Sequence, residues 1–492
     1  AAVGEGVGGG AQPRRRTTER SGPVSGRSVT VVGGGLAGIT AALDCARGGA
    51  TVTLLESRGR LGGAAYSFTR NGIHADNGQH VFLRCCTAYR GLLAQLGATD
   101  AVTLQPRLEM TVLAPAGRRG MLRRSGLPAP LHLAGALLRY PFLTVRERIG
   151  VARTMQRLRS VDPGDPMSDA RSFGDWLREQ GQSPAALETI WSLIARPTLN
   201  LELDAASLAQ AAQVFQLGLL ADRSAGDIGY ARVPLSEIHD EAARRALAQA
   251  KVDVRLRRGA AMIVPGATGF RVEVSGAPTI ESQGVILAVG PDRAARLLGD
   301  RGGVDERISA RLGRSPIVNL HIVYDRRVLD APFAAGVHTP VQWMFDRTRN
   351  AGLSTGQYLA ISLSAADEEL SVPADELRAK YLPALRELLP AARDAAVEEF
   401  FVTREHAATF RAGPGARAWR PGPRTDVPGL FLAGCWTDTG WPATMEGAVR
   451  SGHAAAHEAL TDLFRSARPQ PPVAGQQGGD PIRQGELAGG RA

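Results

Sequence analysis

Apolar and polar positions first fall into register at Ser28–Val32, a β-branched run that predicts a strand. A helical spacing follows over Leu36–Arg47, Gly48-Gly49 make a turn, and Thr51–Leu55 predicts a second strand. Strand, helix and strand in this order form a βαβ unit and imply a parallel sheet. From about residue 100 to 225 the Leu and Ala positions recur near 3.6 residues, which predicts mainly helix. Strands return at Val252–Leu256, Gly269–Val274 and Gly284–Val289, then in SPIVNLHIVY just after Arg314. Glu368–Leu389 predicts a helix. The last strand is Gly429–Ala433, followed by a loop and a helix over Met445–Leu463. The ends, 1–26 and 466–492, carry no periodicity and predict disordered tails. There is no internal repeat.

A chain of 492 residues exceeds one ordinary core, so two domains are expected. The formal net charge is +10, almost wholly from arginine, with lysine only at 251 and 380. Such charge favours nucleic acid, anionic lipid or an acidic protein, and its placement decides among them. Between Arg107 and Arg159 stand eleven arginines, two glutamates and no aspartate, interleaved with LPAPLHLAGALLRYPFL. Arginines flanking apolar groups suit the headgroup boundary of an anionic membrane; the competing reading is a core helix with solvated arginines. Nucleic acid is disfavoured, because no binding motif is present and aromatics for stacking are few.

Cys45, Cys85, Cys86 and Cys435 form no CxxC pair or metal spacing, and no metal site is expected. With no apolar signal-peptide core in the first residues, this predicts a reduced, cytoplasmic protein associated with the inner face of the membrane. No apolar run approaches the ~20 residues of a membrane span.

Gly33-Gly34-Gly35-Leu36-Ala37-Gly38 fits the GxGxxG pattern of dinucleotide sites. With 58 glycines, about 0.8 such matches arise by chance, and Gly4, Gly6 and Gly9 match it too. Context separates the two copies: only the one at Gly33 has a strand before it and a helix after it. There Gly33 permits the tight turn, Gly35 the approach of a pyrophosphate, and Gly38 close helix–strand packing. The helix start faces the phosphate charge. Glu56, ending the second strand, can accept hydrogen bonds from ribose hydroxyls and would repel a 2′-phosphate. Just beyond it, Arg60, Gly62 and Gly63 can hold a pyrophosphate from its other side.

Asp76-Asn77-Gly78-Gln79-His80 and the distant segment LAGCWTDTGWPATMEGAV (432–449) add two further blocks. Together the three blocks resemble the flavin amine oxidase and phytoene desaturase superfamily across most of 28–465. The resemblance implies an α/β fold: a discontinuous Rossmann-like FAD-binding domain from 27–100, 230–300 and 420–465. A mixed α+β substrate domain takes 101–229 and 301–419. It implies FAD contacts from Gly33, Gly35, Leu36, Ala37, Gly38, Glu56, Ser57, Arg60, Gly62, Gly63 and Ala64. Others come from Gly78, Gln79, His80, Ala260, Gly434, Asp438, Ala443, Thr444, Met445, Glu446 and Ala448. The last helix start would face the flavin pyrimidine, where its dipole favours the negative charge of the reduced ring. Ala64 departs from the many relatives with arginine there, so that contact falls to backbone. Glu446 is expected to tie down its own helix start, and Cys435 to pack rather than bond the flavin.

Amine oxidases of this group commonly hold a lysine beside the flavin, and neither Lys251 nor Lys380 is suitably placed. The runs DNGQHVFLRCCTAYRGLLAQLG and GLFLAGCWTDTGWPATMEGAVRSG instead resemble the hydroxysqualene dehydroxylases of hopanoid synthesis. This implies a hydrophobic isoprenoid substrate, reductive removal of its hydroxyl, and an electron donor that the sequence does not name. His80, Asp76 and Asp438 are the candidate general acids; each has a competing structural role, in cofactor or backbone bonding, turn capping or loop anchoring. The alternatives are a carotenoid-type desaturase, which runs hydride from substrate to oxidised flavin, another oxidase of the superfamily, and a non-enzymatic prenyl-lipid carrier.

Overall fold

The computed structural model describes residues 27–299 and 304–466, so the tail readings lie outside them, save that Ser466 ends the last helix. The first βαβ unit forms as its pattern predicts: β1 (Ser28–Val32), α1 (Leu36–Arg47) and β2 (Thr51–Glu56). Three later strands join them, β3 (Asp253–Leu256), β4 (Gly284–Leu287) and β5 (Leu430–Leu432). The sheet runs β3-β2-β1-β4-β5, every pair parallel.

Burial on both faces explains the near-continuous apolar character of these strands. Val31, Leu54, Ile286 and Phe431 pack with Ile39 of α1 and Ala455 of α2 (Met445–Ser466). Leu55, Val285, Leu287 and Leu432 point the other way, into a core shared with Ile263 and Val272 of an antiparallel ribbon. The carboxyl ends of β1 and β2 therefore converge beside the start of α1, where open parallel sheets bind ligands.

A second, seven-stranded sheet is ordered Val397–Thr409, Ser315–Tyr324, Gln357–Ser364, Trp343–Asp346, Phe333–Gly336, Glu109–Ala114, Arg118–Arg123. Only Phe333–Gly336 against Glu109–Ala114 is parallel. Helix Ala374–Leu388 covers one face, burying Leu377, Tyr381 and Leu385 against Val318, Leu320 and Ile322. Tyr140, Trp176, Trp191 and Phe215 belong to the large core on the helical side.

The stretch read as mainly helical, 100–225, is helical from Leu131 onward but begins with strands Val102–Leu104, Glu109–Ala114 and Arg118–Arg123. The last two form a hairpin whose turn residues Ala116 and Gly117 take φ of 59° and 71°. Paired positive φ values match the right-handed twist of a hairpin, and Leu-Ala spacing counts do not register such a turn. Among the described residues no helix is long and apolar enough to cross a membrane.

Candidate functional site

The site begins with backbone. Gly33 takes φ +111°, and a Cβ there would lie 2.3 Å from the Ala288 carbonyl oxygen. A Cβ on Gly38 would lie 1.8 Å from the Gly33 oxygen, so only glycine lets α1 start this close to the strand ends. Gly35 is the N-cap of α1, and no side chain caps the helix. Its first-turn N–H groups and the positive end of its dipole are thus available to an anion. Gly62 bridges Gly35 and donates its N–H to the Gly34 oxygen at 2.9 Å, folding the second glycine pair over the first.

Glu56, 8% exposed, accepts the Gly34 N–H (2.8 Å) on Oε2, and the Arg58 N–H (2.7 Å) and Ser57 hydroxyl (3.2 Å) on Oε1. It therefore braces the glycine turn. The Arg60 Nη1 donates to the Leu61 and Gly63 oxygens at 3.2 and 3.1 Å, and its guanidinium lies over the Tyr66 ring. Burial, then the neighbouring Arg58, lowers its pKa. Ala64 offers its carbonyl to Asn77 Nδ2. Ala260 starts the antiparallel ribbon next to Gly259, which packs against Ser57.

The 76–80 block joins the two sheets. Asn77 accepts the Tyr66 N–H and donates to Glu405, while its own carbonyl accepts from Asn319 Nδ2 (3.0 Å) and the Thr403 hydroxyl (3.2 Å). Asp76 is occupied by the Ser67 hydroxyl, the Leu235 N–H and the buried Arg347 guanidinium, an arrangement that anchors loops and leaves little for proton donation. His80 differs. Its Nδ1–H donates to the Gly78 oxygen at 3.0 Å, and Nε2 has no partner among the described residues. Burial lowers the pKa of this imidazole, opposed by the Gly78 bond and by Asp76 and Glu405, and reinforced by Arg347.

At the C-terminal block, Gly434 donates its N–H to Ser451, and Asp438 accepts from the Gly440 N–H and Arg417 Nε. Asp438 therefore holds its loop. Thr444 accepts the Gly447 N–H and caps α2, with Ala443 and Met445 at its side and Ala448 donating its N–H to the Thr444 carbonyl. Glu446 ties its helix start to a neighbouring helix. Its carboxylate receives the Ala88 and Tyr89 N–H groups, capping helix Thr87–Gln95, and Arg450 Nε. Burial raises the Cys435 thiol pKa, which disfavours the thiolate.

Two residues stand out that the sequence reading did not. Arg420, 5% exposed, donates Nη2 to the carbonyls of Cys435 (3.2 Å), Thr437 (2.7 Å) and Trp441 (2.7 Å). His239 donates Nδ1–H to Ala65 and accepts the Tyr89 hydroxyl on Nε2, behind the Gly62 turn. Nothing in their local sequence marks either one. Gln79 Nε2, Asn319 Oδ1, and Arg420 Nε and Nη1 are buried without partners among the described residues. Such groups call for a ligand. With the uncapped α1 start and the glycine cradle, they fit a flavin dinucleotide. Lys251 sits in a surface turn, and Lys380 pairs with Glu369 at the surface.

Residues 36–460 match the family described as "Flavin containing amine oxidoreductase". The hydroxysqualene dehydroxylase of Rhodopseudomonas palustris is 29% identical over 437 residues, covering 87% of this chain and 97% of that protein. The chloroplastic/chromoplastic zeta-carotene desaturase of Arabidopsis thaliana is 24% identical, covering 87% of this chain and 84% of the relative. Among solved structures, putrescine oxidase bound to putrescine superposes with a TM-score of 0.66 at 22% identity, covering 90% of this chain and 99% of that one.

Proposed function

The chain belongs to the family of flavin-containing amine oxidoreductases and is an FAD-dependent oxidoreductase; from that premise we propose that it reductively dehydroxylates an isoprenoid alcohol, hydroxysqualene, to squalene. The observation that carries this reading is His80: a partly buried imidazole fixed through Nδ1, with a free Nε2, inside a cofactor block. Bound FAD, when reduced, supplies hydride. The glycine cradle and Glu56 would hold the dinucleotide, and Arg420 ties together the carbonyls of the Cys435–Trp441 loop.

Protonated His80 gives its Nε2 proton to the leaving hydroxyl, which departs as water. Because burial lowers its pKa, the protonated ring is a stronger acid than imidazolium in water. A run of packed aromatic side chains extends from the strand that follows it. Val81, next to His80, pairs with Tyr230, whose ring lies 5.8 Å from Phe333, itself 6.2 Å from Trp343. Trp343 lines a cavity of about 240 Å³ with Leu193, Val337 and Val341 on its apolar side and Glu188 and Arg196 on its polar side. Aromatic faces stabilise a transient allylic cation. Proton from His80, hydride from the cofactor and hydroxyl from the substrate balance as squalene and water.

A desaturase reading is favoured only by the similarity to zeta-carotene desaturase. Anaerobic incubation of the reduced holoenzyme with hydroxysqualene separates the two. Squalene appearing with flavin oxidation supports the proposal. A flavin that stays reduced, and that in its oxidised form is instead reduced by a saturated carotenoid precursor, overturns it.

A further inference from the structure

Five large apolar side chains are exposed within one short stretch: Leu127 (52%), Leu131 (56%), Leu138 (68%), Val145 (67%) and Ile149 (47%). Leu138, Val145 and Ile149 share one surface. Arg148 reaches from the first turns of helix Val145–Leu158 to the carbonyls of Leu138 (2.6 Å) and Tyr140 (2.7 Å). Arg118, on the hairpin, donates to Pro141. The helix itself is divided: Val151, Thr154 and Leu158 are buried, while Val145 and Ile149 lie one turn apart on the outer side.

Cations border this surface. Arg146 and Arg153 are exposed and have no ion pair or hydrogen bond among the described residues. Arg146 and Arg153 flank Ile149 along the helix. Unpaired guanidinium groups around protruding leucines gain energy from an anionic surface that also accepts apolar groups. Both terminal stretches, 1–26 and 467–492, carry net positive charge, so the chain's own ends are poor covers for it.

We infer that this surface is a docking face for an anionic lipid bilayer, with Leu138, Val145 and Ile149 entering the headgroup boundary and Arg146 and Arg153 meeting lipid phosphates.

Sedimentation of the holoenzyme with vesicles of phosphatidylcholine, alone or mixed with phosphatidylglycerol, tests it. Binding to the mixed vesicles, weakened by salt, is expected. Each arginine changed to glutamine weakens it about five-fold. L138E/V145E/I149E abolishes it while flavin content and melting temperature hold, because all three side chains are already exposed. Equal binding to neutral vesicles, no binding to either, or loss of a dimer in the triple variant in place of loss of lipid binding would overturn the inference. Retention of wild type and triple variant alike points to another face and also overturns it.

Discussion

The two sides of the site are built from different materials. The proposed nucleotide side is backbone: Gly33, Gly34, Gly35, Gly38, Gly62 and Gly63, an uncapped helix start and one carboxylate, all within residues 33–63. The proton side is side chains gathered from far apart, with Asn77, Asn319, Thr403 and Glu405 linking the 76–80 block to the second sheet. Backbone cradles fail sterically when an atom is added. Side-chain networks fail chemically when a group is removed, with the cradle intact. Cofactor retention and turnover should therefore separate cleanly between the two regions.

The largest break is expected at Gly38→Ala. Its Cβ would lie 1.8 Å from a carbonyl oxygen, so helix and strand must part. Overpacking of this kind costs about 3 kcal/mol, and the purified protein should carry no flavin, read as the ratio of visible to ultraviolet absorbance. His80→Ala should do the reverse: full flavin content, with turnover down about 100-fold or more. Because the His80 pKa is lowered, its acid form becomes populated only as pH falls. The wild-type rate should accordingly rise towards acid pH, and that rise should vanish in His80→Ala. A pH–rate profile on both proteins checks it.

Arg420→Gln tests the hinge between the regions. Losing hydrogen bonds from a charged donor to three carbonyls should weaken FAD binding by about 2 kcal/mol, measured by fluorescence titration of the apoprotein. Lysine should rescue poorly, since one ammonium does not reproduce the planar fork.

The smallest effect concerns stability. His239 and His321 are buried, with pKa values pushed down to about 4 and about 3 by burial. The unfolded chain binds these protons first, so stability is full above about pH 6.5 and falls as pH drops towards 3–4. Melting temperatures against pH should show this, and His239→Gln should flatten the upper part of the fall.

The same contrast explains what could be read from the sequence. β1, α1 and β2 form where their patterns predict, because a strand buried on both faces and a glycine turn leave strong local signatures. β4, β5 and the helix from Met445 were legible for the same reason. Strand Val397–Thr409 was not. Its VEEFFVTREHAAT pattern is partly exposed and charged, and its partner lies some 80 residues away in sequence. Asn319 and His321 sit inside SPIVNLHIVY, which reads as a strand without revealing that its polar positions support the 76–80 block. Arg420 is one arginine among several, and only the fold shows which of them is buried. Glycine chemistry is local and visible, whereas a side chain's role depends on what the second sheet brings to it.

The most direct test of the central claim is a single anaerobic turnover. Photoreduced holoenzyme is mixed with one equivalent of hydroxysqualene, and the flavin spectrum and extracted lipids are followed together. The account predicts that oxidised flavin and squalene appear at the same rate and in equal amounts, and that both slow together in His80→Ala. Squalene absent while the flavin stays reduced, or flavin oxidation without squalene, would contradict it.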